Sequence, residues 1–169
     1  DGAQVVEASG KHVYPGLFAA NTVVGLVEVS AVRATDDTAE VGAINPNVRA
    51  EIAVNPDSEL IPVTRANGVL AVLTHPVAGE QGVLTGTSAV LQLEGWTWEE
   101  LTVRAPVGMH LVWPSLLLPD YLPPAMLDLA RKAQADKRVA LDKAMDDARS
   151  YRAAKEAGAV AQPDLRWEA

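Results

Sequence analysis

Apolar residues gather into short runs separated by polar and helix-forming segments over the first two thirds of the chain. The clearest run, residues 69–74, is typical of a strand buried on both faces, as in a parallel sheet. Residues 17–20 form a shorter apolar run, and residues 26–32 alternate between apolar and polar positions, so we predict a strand at each. Residues 56–66 begin with a proline and acidic residues and are followed by a glycine, which predicts a helix. This order favours a parallel sheet built from βαβ units, with residues 17–20 parallel to residues 69–74.

Weaker patterns predict further elements on both sides of this unit. Residues 88–93 suit either a strand or a helix. Short strands are predicted at residues 4–8, 12–14, 101–103 and 109–113. Residues 125–157 are rich in Ala, Lys and Arg and contain neither proline nor glycine, so they predict one long helix. Its apolar stripe is thin, and we therefore expect a largely solvated helix that projects from the rest of the fold.

Composition and charge exclude several classes of function. The 169 residues carry a formal net charge of −8, which argues against nucleic acid and against an anionic membrane surface as partners. No apolar run is long enough to predict a membrane-spanning helix. The sequence has no cysteine, so thiolate metal sites and cysteine nucleophiles are excluded. None of these observations determines the compartment, and no segment has a cofactor-binding motif.

The most specific stretch is Gly-Lys-His-Val-Tyr-Pro-Gly-Leu-Phe at residues 10–18. It resembles the segment of the amidohydrolase superfamily, especially its imidazolonepropionase-like members, that leads from a small β-sandwich into the first barrel strand. Residues 69–75, 82–90 and 95–100 fit the same family in outline and in the same order. The resemblance implies metal-dependent hydrolysis of C–N bonds on a (β/α)₈ TIM-type barrel.

The resemblance also implies a division of the chain. Residues 1–14 would supply β-sandwich strands, and residues 15–122 the first part of the barrel. Residues 123–158 would form the long helical excursion, and residues 159–169 would begin a further element. The expected fold class is α/β, a partial barrel with a remnant of the sandwich. A complete barrel of this type needs about 250 residues, so we expect the chain to be part of a larger protein.

The chain departs from the family at the metal site. Counted from the Pro-Gly-Leu motif, the two histidine positions of the family fall on Asn21 and Val23, and its acid position falls on Ala19. Asparagine is a poor ligand for a hydrolytic zinc and valine is none. We therefore predict that this chain alone binds no metal and is inactive alone. Zinc or another divalent metal in the complete protein would be held by later residues.

Few other residues are candidates for chemistry. We name Asn21, His75 and Arg65 as weak catalytic candidates, because His75 follows a predicted barrel strand and Arg65 can line a polar pocket above the strands. The simpler interpretation of His75 is a residue of a surface loop. The simpler interpretation of Arg65 is a residue on the surface of a helix. His12 fits a surface residue, and His110 a core histidine with one hydrogen bond.

Two classes of function remain open from the sequence. The first is a C–N hydrolase completed by residues outside this chain, and the second is a non-catalytic binding or structural module that keeps the fold. A partial barrel exposes a strand edge and an apolar face. The expected partner is therefore the carboxyl-terminal remainder of the barrel or a companion chain, and an oligomer would also cover the edge.

Overall fold

A computed structural model describes residues 2–79, 81–113, 115, 121 and 123–169. Its larger sheet has four strands in the order β1 (Leu17–Thr22), β2 (Val69–Thr74), β4 (Ala89–Gln92) and β5 (Thr102–Arg104). β1 and β2 run parallel, with Phe18 opposite Ala71, which confirms the predicted parallel pair. The bounds of β2 match the predicted apolar run residue for residue.

The expectation of a wholly parallel sheet is wrong. β4 is antiparallel to β2, and β5 is antiparallel to β4. Parallel neighbours need a crossover of a dozen or more residues that returns to the same end of the sheet, usually through a helix. The segment between β2 and β4 contains no helix among its described residues and instead forms β3 (Leu84–Thr87) of a second sheet. Together the strands make a mixed α/β fold without a closed barrel among the described residues.

The second sheet pairs β3 with β6 (Met109–Leu111) in antiparallel register. All four residues of β3 are buried, and one of them must be glycine. A Cβ at Gly86 would lie 2.5 Å from the carbonyl oxygen of Val48, and its φ of +119° also suits only glycine. The close approach lets the segment before the first helix lie against β3, where Arg49 forms an isolated bridge with Thr87.

The described residues form five α-helices beside the sheets: α1 (Ala50–Ala53), α2 (Leu60–Ala66), α3 (Trp98–Leu101), α4 (Pro124–Glu156) and α5 (Leu165–Glu168). α2 begins four residues later than predicted. Asn55 closes a turn by accepting a hydrogen bond from the backbone N–H of Asp57, and Ser58 accepts one from the backbone N–H of Leu60. These hydrogen bonds stabilise a turn at residues 55–58, so the helix begins after the turn and not at residue 56. Thr97 caps α3 by accepting a hydrogen bond from the backbone N–H of Glu100.

The main core lies between the larger sheet and the short helices. Its buried residues come from β2, β4, α1, α2, α3 and the loops beside them: Leu26, Ala50, Val54, Ile61, Val72, Ala89, Leu91, Leu93 and Leu101. A second, smaller cluster joins β3 to the long helix through Val83, Leu84, Leu141 and Ala144. Burial of such side chains contributes roughly 1.5–3 kcal/mol each for the larger ones, so the main core dominates stability.

One charged group lies inside the fold. The side chain of Glu51 is fully buried, and its Oε1 accepts hydrogen bonds from Nε of Arg49 at 2.7 Å and from Nη2 at 2.6 Å. Half of the Arg49 side chain is exposed, so the guanidinium links the buried carboxylate to solvent. Oε2 of Glu51 has no hydrogen-bond partner among the described residues. Arg49 therefore neutralises a carboxylate that would otherwise be costly to bury.

The long helix forms as predicted, over Pro124–Glu156, and at 1.5 Å per residue it is about 50 Å long. Most of its residues are exposed, as the thin apolar stripe indicates. It is anchored in its second half, where Leu141 and Ala144 are buried against β3. Near its end, Lys155 and Tyr151 bind the carboxylate of Glu168, which holds the last residues of the chain against it. None of the described helices combines the length and hydropathy needed to cross a bilayer.

Two predicted strand regions do not form. Residues 26–32 contain only an isolated bridge between Val27 and Asp36, followed by a 3₁₀ turn at Arg33–Thr35. Residues 2–14, all described, form no strand either, and nearly all of them are exposed. A strand needs a continuous ladder with a neighbouring strand. Among the described residues, residues 2–14 have none, and residues 26–32 make only a few backbone hydrogen bonds to residues 35–37. The proline-rich stretch at the end of the predicted barrel part, residues 114–122, lies largely outside the described residues.

Candidate functional site

The carboxyl ends of β1 and β2 lie side by side and border an open cleft. Thr22 pairs with Thr74 at the end of the two strands, and the backbone N–H of His75 donates to the carbonyl of Thr22 at 3.1 Å. The cleft has a volume of about 500 Å³. Its lining is mostly apolar and comprises Asn21, Thr22, Val23, Val24, Val27, Leu60, His75 and Val77. Catalytic sites of barrel proteins lie at this end of the strands.

The structure brings Asn21 and Val23 to this cleft. Asn21 lies at an irregularity of β1 and has a φ of 65°, a left-handed conformation that asparagine tolerates better than most residues. Its side chain is exposed at the mouth of the cleft, whereas Val23 is half-buried and packs against the main core. The pair therefore presents one amide group and one apolar group where a metal-binding pair would present two imidazoles.

His75 also lines the cleft, as its position after β2 predicted. Its ring is half-buried, and Nδ1 lies 3.0 Å from the carbonyl oxygen of Pro76. A carbonyl oxygen only accepts hydrogen bonds, so in the neutral ring the proton belongs on Nδ1. Nε2 of His75 is then a hydrogen-bond acceptor.

His110 stacks on His75, although His110 lies in β6 of the smaller sheet and His75 follows β2 of the larger one. The ring centroids are 4.5 Å apart and the ring planes differ by 3°. Burial, and to a lesser extent the neighbouring His75, holds the pKa of His110 below its ordinary value. The apolar residues around His110 predict a core histidine with one hydrogen bond, but no pattern in the sequence indicates this pairing. Their spacing of 35 positions in the sequence matches no motif, and only the meeting of β6 with the end of β2 joins them.

Arg65 lies at the opposite end of the sheet, away from this cleft. Its guanidinium donates to the carbonyl oxygen of Leu93 at 3.0 Å and binds the carboxylate of Glu94. Because β4 is antiparallel to β2, the end of β4 lies beside the start of β2, far from His75. Arg65 ties α2 to the residues that follow β4, and the structure does not bring it together with Asn21 and His75.

The residues at the cleft do not fit a catalytic metal. Among the described residues, no group of three or more His, Asp or Glu side chains is placed to hold a metal ion. At the cleft only His75 offers a strong donor, and the rings of His75 and His110 are parallel, so their in-plane lone pairs do not converge on one ion. A hydrolytic zinc takes three protein ligands, which the described residues around the cleft do not supply.

Comparison with solved structures identifies the architecture. The chain is similar to an amidohydrolase from Thermotoga maritima MSB8, with a TM-score of 0.73 and 20% sequence identity over 99% of this chain. The match covers 46% of that protein, so the chain spans less than half of its length. No protein-family profile matches the chain, and no curated protein matches it by sequence. The likeness establishes the fold: the chain folds as part of an amidohydrolase does.

Proposed function

We propose that the chain is the amino-terminal part of an amidohydrolase-like protein of the imidazolonepropionase-like type. The complete protein would hydrolyse C–N bonds with a divalent metal held by residues outside this chain, and this chain alone would be inactive. The observation that carries the proposal is the cleft at the carboxyl ends of β1 and β2, in a chain that shares its fold with part of an amidohydrolase over 99% of its own residues. In a barrel, this is the end that faces the substrate.

The exposed edge of the sheet supports the same proposal. Among the described residues, β1 pairs only with β2 and leaves its other edge open. Leu17 and Phe18 on β1 are 62% and 54% exposed, and Leu70 beside them is 50% exposed. An open strand edge with an apolar face invites pairing with another strand. We propose that the remainder of a TIM-type barrel, or a companion chain, covers it.

A non-catalytic module is the second candidate, and Asn21 and Val23 favour it. If the complete protein also lacks the later metal ligands of the family, the cleft remains as a binding site on an inactive fold. Metal content and turnover of amide substrates, measured on this chain and on the complete protein, separate the two candidates. Stoichiometric zinc retained by this chain alone after dialysis against a weak chelator would contradict both.

A direct test restores the histidine pair. In Asn21→His/Val23→His, both imidazoles would border the cleft beside His75, and we expect Co²⁺ binding with the visible absorption of a coordinated ion. Ala159→His/Ala161→His is the matched control, because it places a pair of the same spacing at two exposed positions outside the cleft. Failure of the cleft pair to bind Co²⁺ more tightly than the control pair would show that positions 21 and 23 do not correspond to the metal-binding positions of the family.

A further inference from the structure

Two imidazole rings join the end of the larger sheet to the smaller sheet. The rings of His75 and His110 stack with their centroids 4.5 Å apart and their planes 3° from parallel. Beside them, the hydroxyl of the buried Thr85 donates to the carbonyl oxygen of Pro76 at 3.2 Å and lies 3.5 Å from the carbonyl oxygen of His110. A hydroxyl has one proton, so it serves only one of these carbonyls at a time. With one such hydrogen bond beside it, the ring stack is a major part of the contact between the end of β2 and the smaller sheet.

The elements packed against the ring pair present uncharged groups to it. The carbonyl oxygen of Thr22, at the end of β1, accepts a hydrogen bond from the backbone N–H of His75 at 3.1 Å. Nδ1 of His75 lies 3.0 Å from the carbonyl oxygen of Pro76, and Gly86 of β3 pairs with His110. The cleft residues around His75 carry no formal charge either.

Acidic residues lie in the loop beside Val77, but they do not pair with the rings. The backbone N–H of Val77 donates to the carbonyl oxygen of Thr38 at 2.8 Å. The carboxylate of Asp36 accepts hydrogen bonds from the N–H and the hydroxyl of Thr38, while Asp37 and Glu40 are exposed. No ion pair in the described part of the chain includes a histidine. A proton taken up by the ring pair is therefore not neutralised by a carboxylate.

Protonation thus opposes the stack. Both rings are half-buried, and a charged ring would lose part of its hydration there. Two charged rings 4.5 Å apart would also repel each other. Burial, and to a lesser extent the neighbouring His75, already holds the pKa of His110 below its ordinary value. Because the two groups interact, they titrate in steps that belong to the pair.

A second tie between the sheets does not depend on protons in this pH range. Ser88 is the residue between β3 and β4, and its backbone N–H donates to the carbonyl oxygen of Gly108 at 3.0 Å. The backbone N–H of Val107 donates to the carbonyl oxygen of Ser88 at 2.9 Å. Separation of the rings would therefore open the contact at the histidines and leave the sheets connected at Ser88.

We infer that the stacked pair of His75 and His110 is a pH-sensitive joint, which holds residues 75–79 on the smaller sheet while both rings are neutral and releases them when the pair is protonated. The closed joint favours neutral rings, so it is fully formed above the ordinary histidine pKa of about 6.5 and opens as the pH falls below it. Since His75 and Val77 line the cleft, one wall of the cleft loosens with the joint. The inference does not depend on the proposed function.

Nuclear magnetic resonance on the 169-residue chain tests the joint directly. The nuclear Overhauser contact between the rings of His75 and His110 should weaken at least ~5-fold between about pH 7.5 and pH 5, as the protonated pair separates. The contact between the side chains of Val72 and Leu91 is the internal control, because these two buried residues face each other in the larger sheet. It should stay unchanged. The two rings should titrate as a coupled pair, with midpoints below about 6.5.

Variants show whether the histidine protons cause the opening. His75→Phe/His110→Phe keeps two rings that can stack but removes both titrating groups, so the contact between the rings at these positions should persist at about pH 5. His12→Phe is the matched control, because it removes an exposed histidine outside the joint. It should open like the unchanged chain.

Four results would overturn the inference. The first is a contact between His75 and His110 that persists at about pH 5, and the second is its loss together with the contact between Val72 and Leu91, which would mean general unfolding. The third is independent titration of both rings at the ordinary histidine pKa, and the fourth is an equal opening in the double variant. The first three are measured on the unchanged chain, so the test stands even if the double variant does not fold.

Discussion

The larger sheet and the long helix α4 are stabilised in different ways, although both were visible in the sequence. Val72 in β2 and Leu91 in β4 are completely or almost completely buried and belong to one continuous core. α4 has 33 residues but only two buried ones, and apart from the pair of Lys155 with Glu168 its ion pairs are exposed pairs within the helix, such as Lys143 with Asp147. Exposed pairs of this kind contribute only about 0.3–0.5 kcal/mol each. Tertiary packing therefore stabilises the sheet, whereas local propensity supports much of the helix.

The largest expected difference in stability is between two leucine-to-alanine variants, one in the larger sheet and one in α4. Leu91→Ala in β4 leaves a cavity in the main core and should lower the free energy of unfolding by about 2–5 kcal/mol. Leu129→Ala in α4 removes a side chain that is 68% exposed and should change it by less than about 0.5 kcal/mol. Urea denaturation of both variants measures the difference. Equal losses would mean that α4 is packed as firmly as the sheet.

Hydrogen exchange compares the backbones of the same two regions. We expect amides of residues 131–150 to be protected at least ~100-fold less than those of β2, because the helix can open locally without disrupting the main core. Within the helix, protection should be highest near Leu141 and Ala144, where it contacts β3. Protection across residues 131–150 as strong as in β2 would show a docked helix and contradict the projecting one.

The next largest expected effect on stability involves the buried carboxylate of Glu51. Arg49→Ala removes both hydrogen bonds to Oε1 and leaves the carboxylate buried and unpaired, which should cost about 1–3 kcal/mol of stability. Arg152→Ala on α4 is the control, since its pair with Glu156 is exposed on both sides. If the two arginine variants were equally stable, Arg49 would not be neutralising the buried group.

The smallest expected effect is a pH dependence from His110. Its pKa is lowered in the folded chain, so below the ordinary histidine pKa of about 6.5 the unfolded chain binds the proton more readily than the folded one. The stability contributed by the neutral ring is present above that pH and is lost as the pH falls from there toward the lower, folded-state pKa. In His110→Phe, the melting temperature should fall less between about pH 7 and pH 5 than it does in the unchanged chain. His12→Phe should leave the slope as it is, and a slope that survives in His110→Phe would assign it to other groups.

Local patterns in the sequence determined the elements whose structure depends on near neighbours. The apolar run of β2 and the proline- and glycine-free composition of α4 each predict their element almost to the residue. The order of strand, helix and strand also predicted the parallel pairing of β1 with β2. The resemblance at residues 10–18 predicted the amidohydrolase fold, and it placed Asn21 and Val23 where the structure has a cleft.

The tertiary structure alone decided the features that depend on distant partners. Alternation in residues 26–32 predicted a strand, but in the part of the chain that the structure describes it forms only an isolated bridge between Val27 and Asp36. The sequences of β4 and β5 do not indicate whether each strand runs parallel or antiparallel to its neighbour, because the same side chains suit both kinds of ladder. The antiparallel course of β4 places Leu93 and Glu94 beside the start of β2, where Arg65 at the end of α2 binds them, far from His75. The stacking of His75 on His110 has the same cause: two residues far apart along the chain meet only because two sheets bring their ends together.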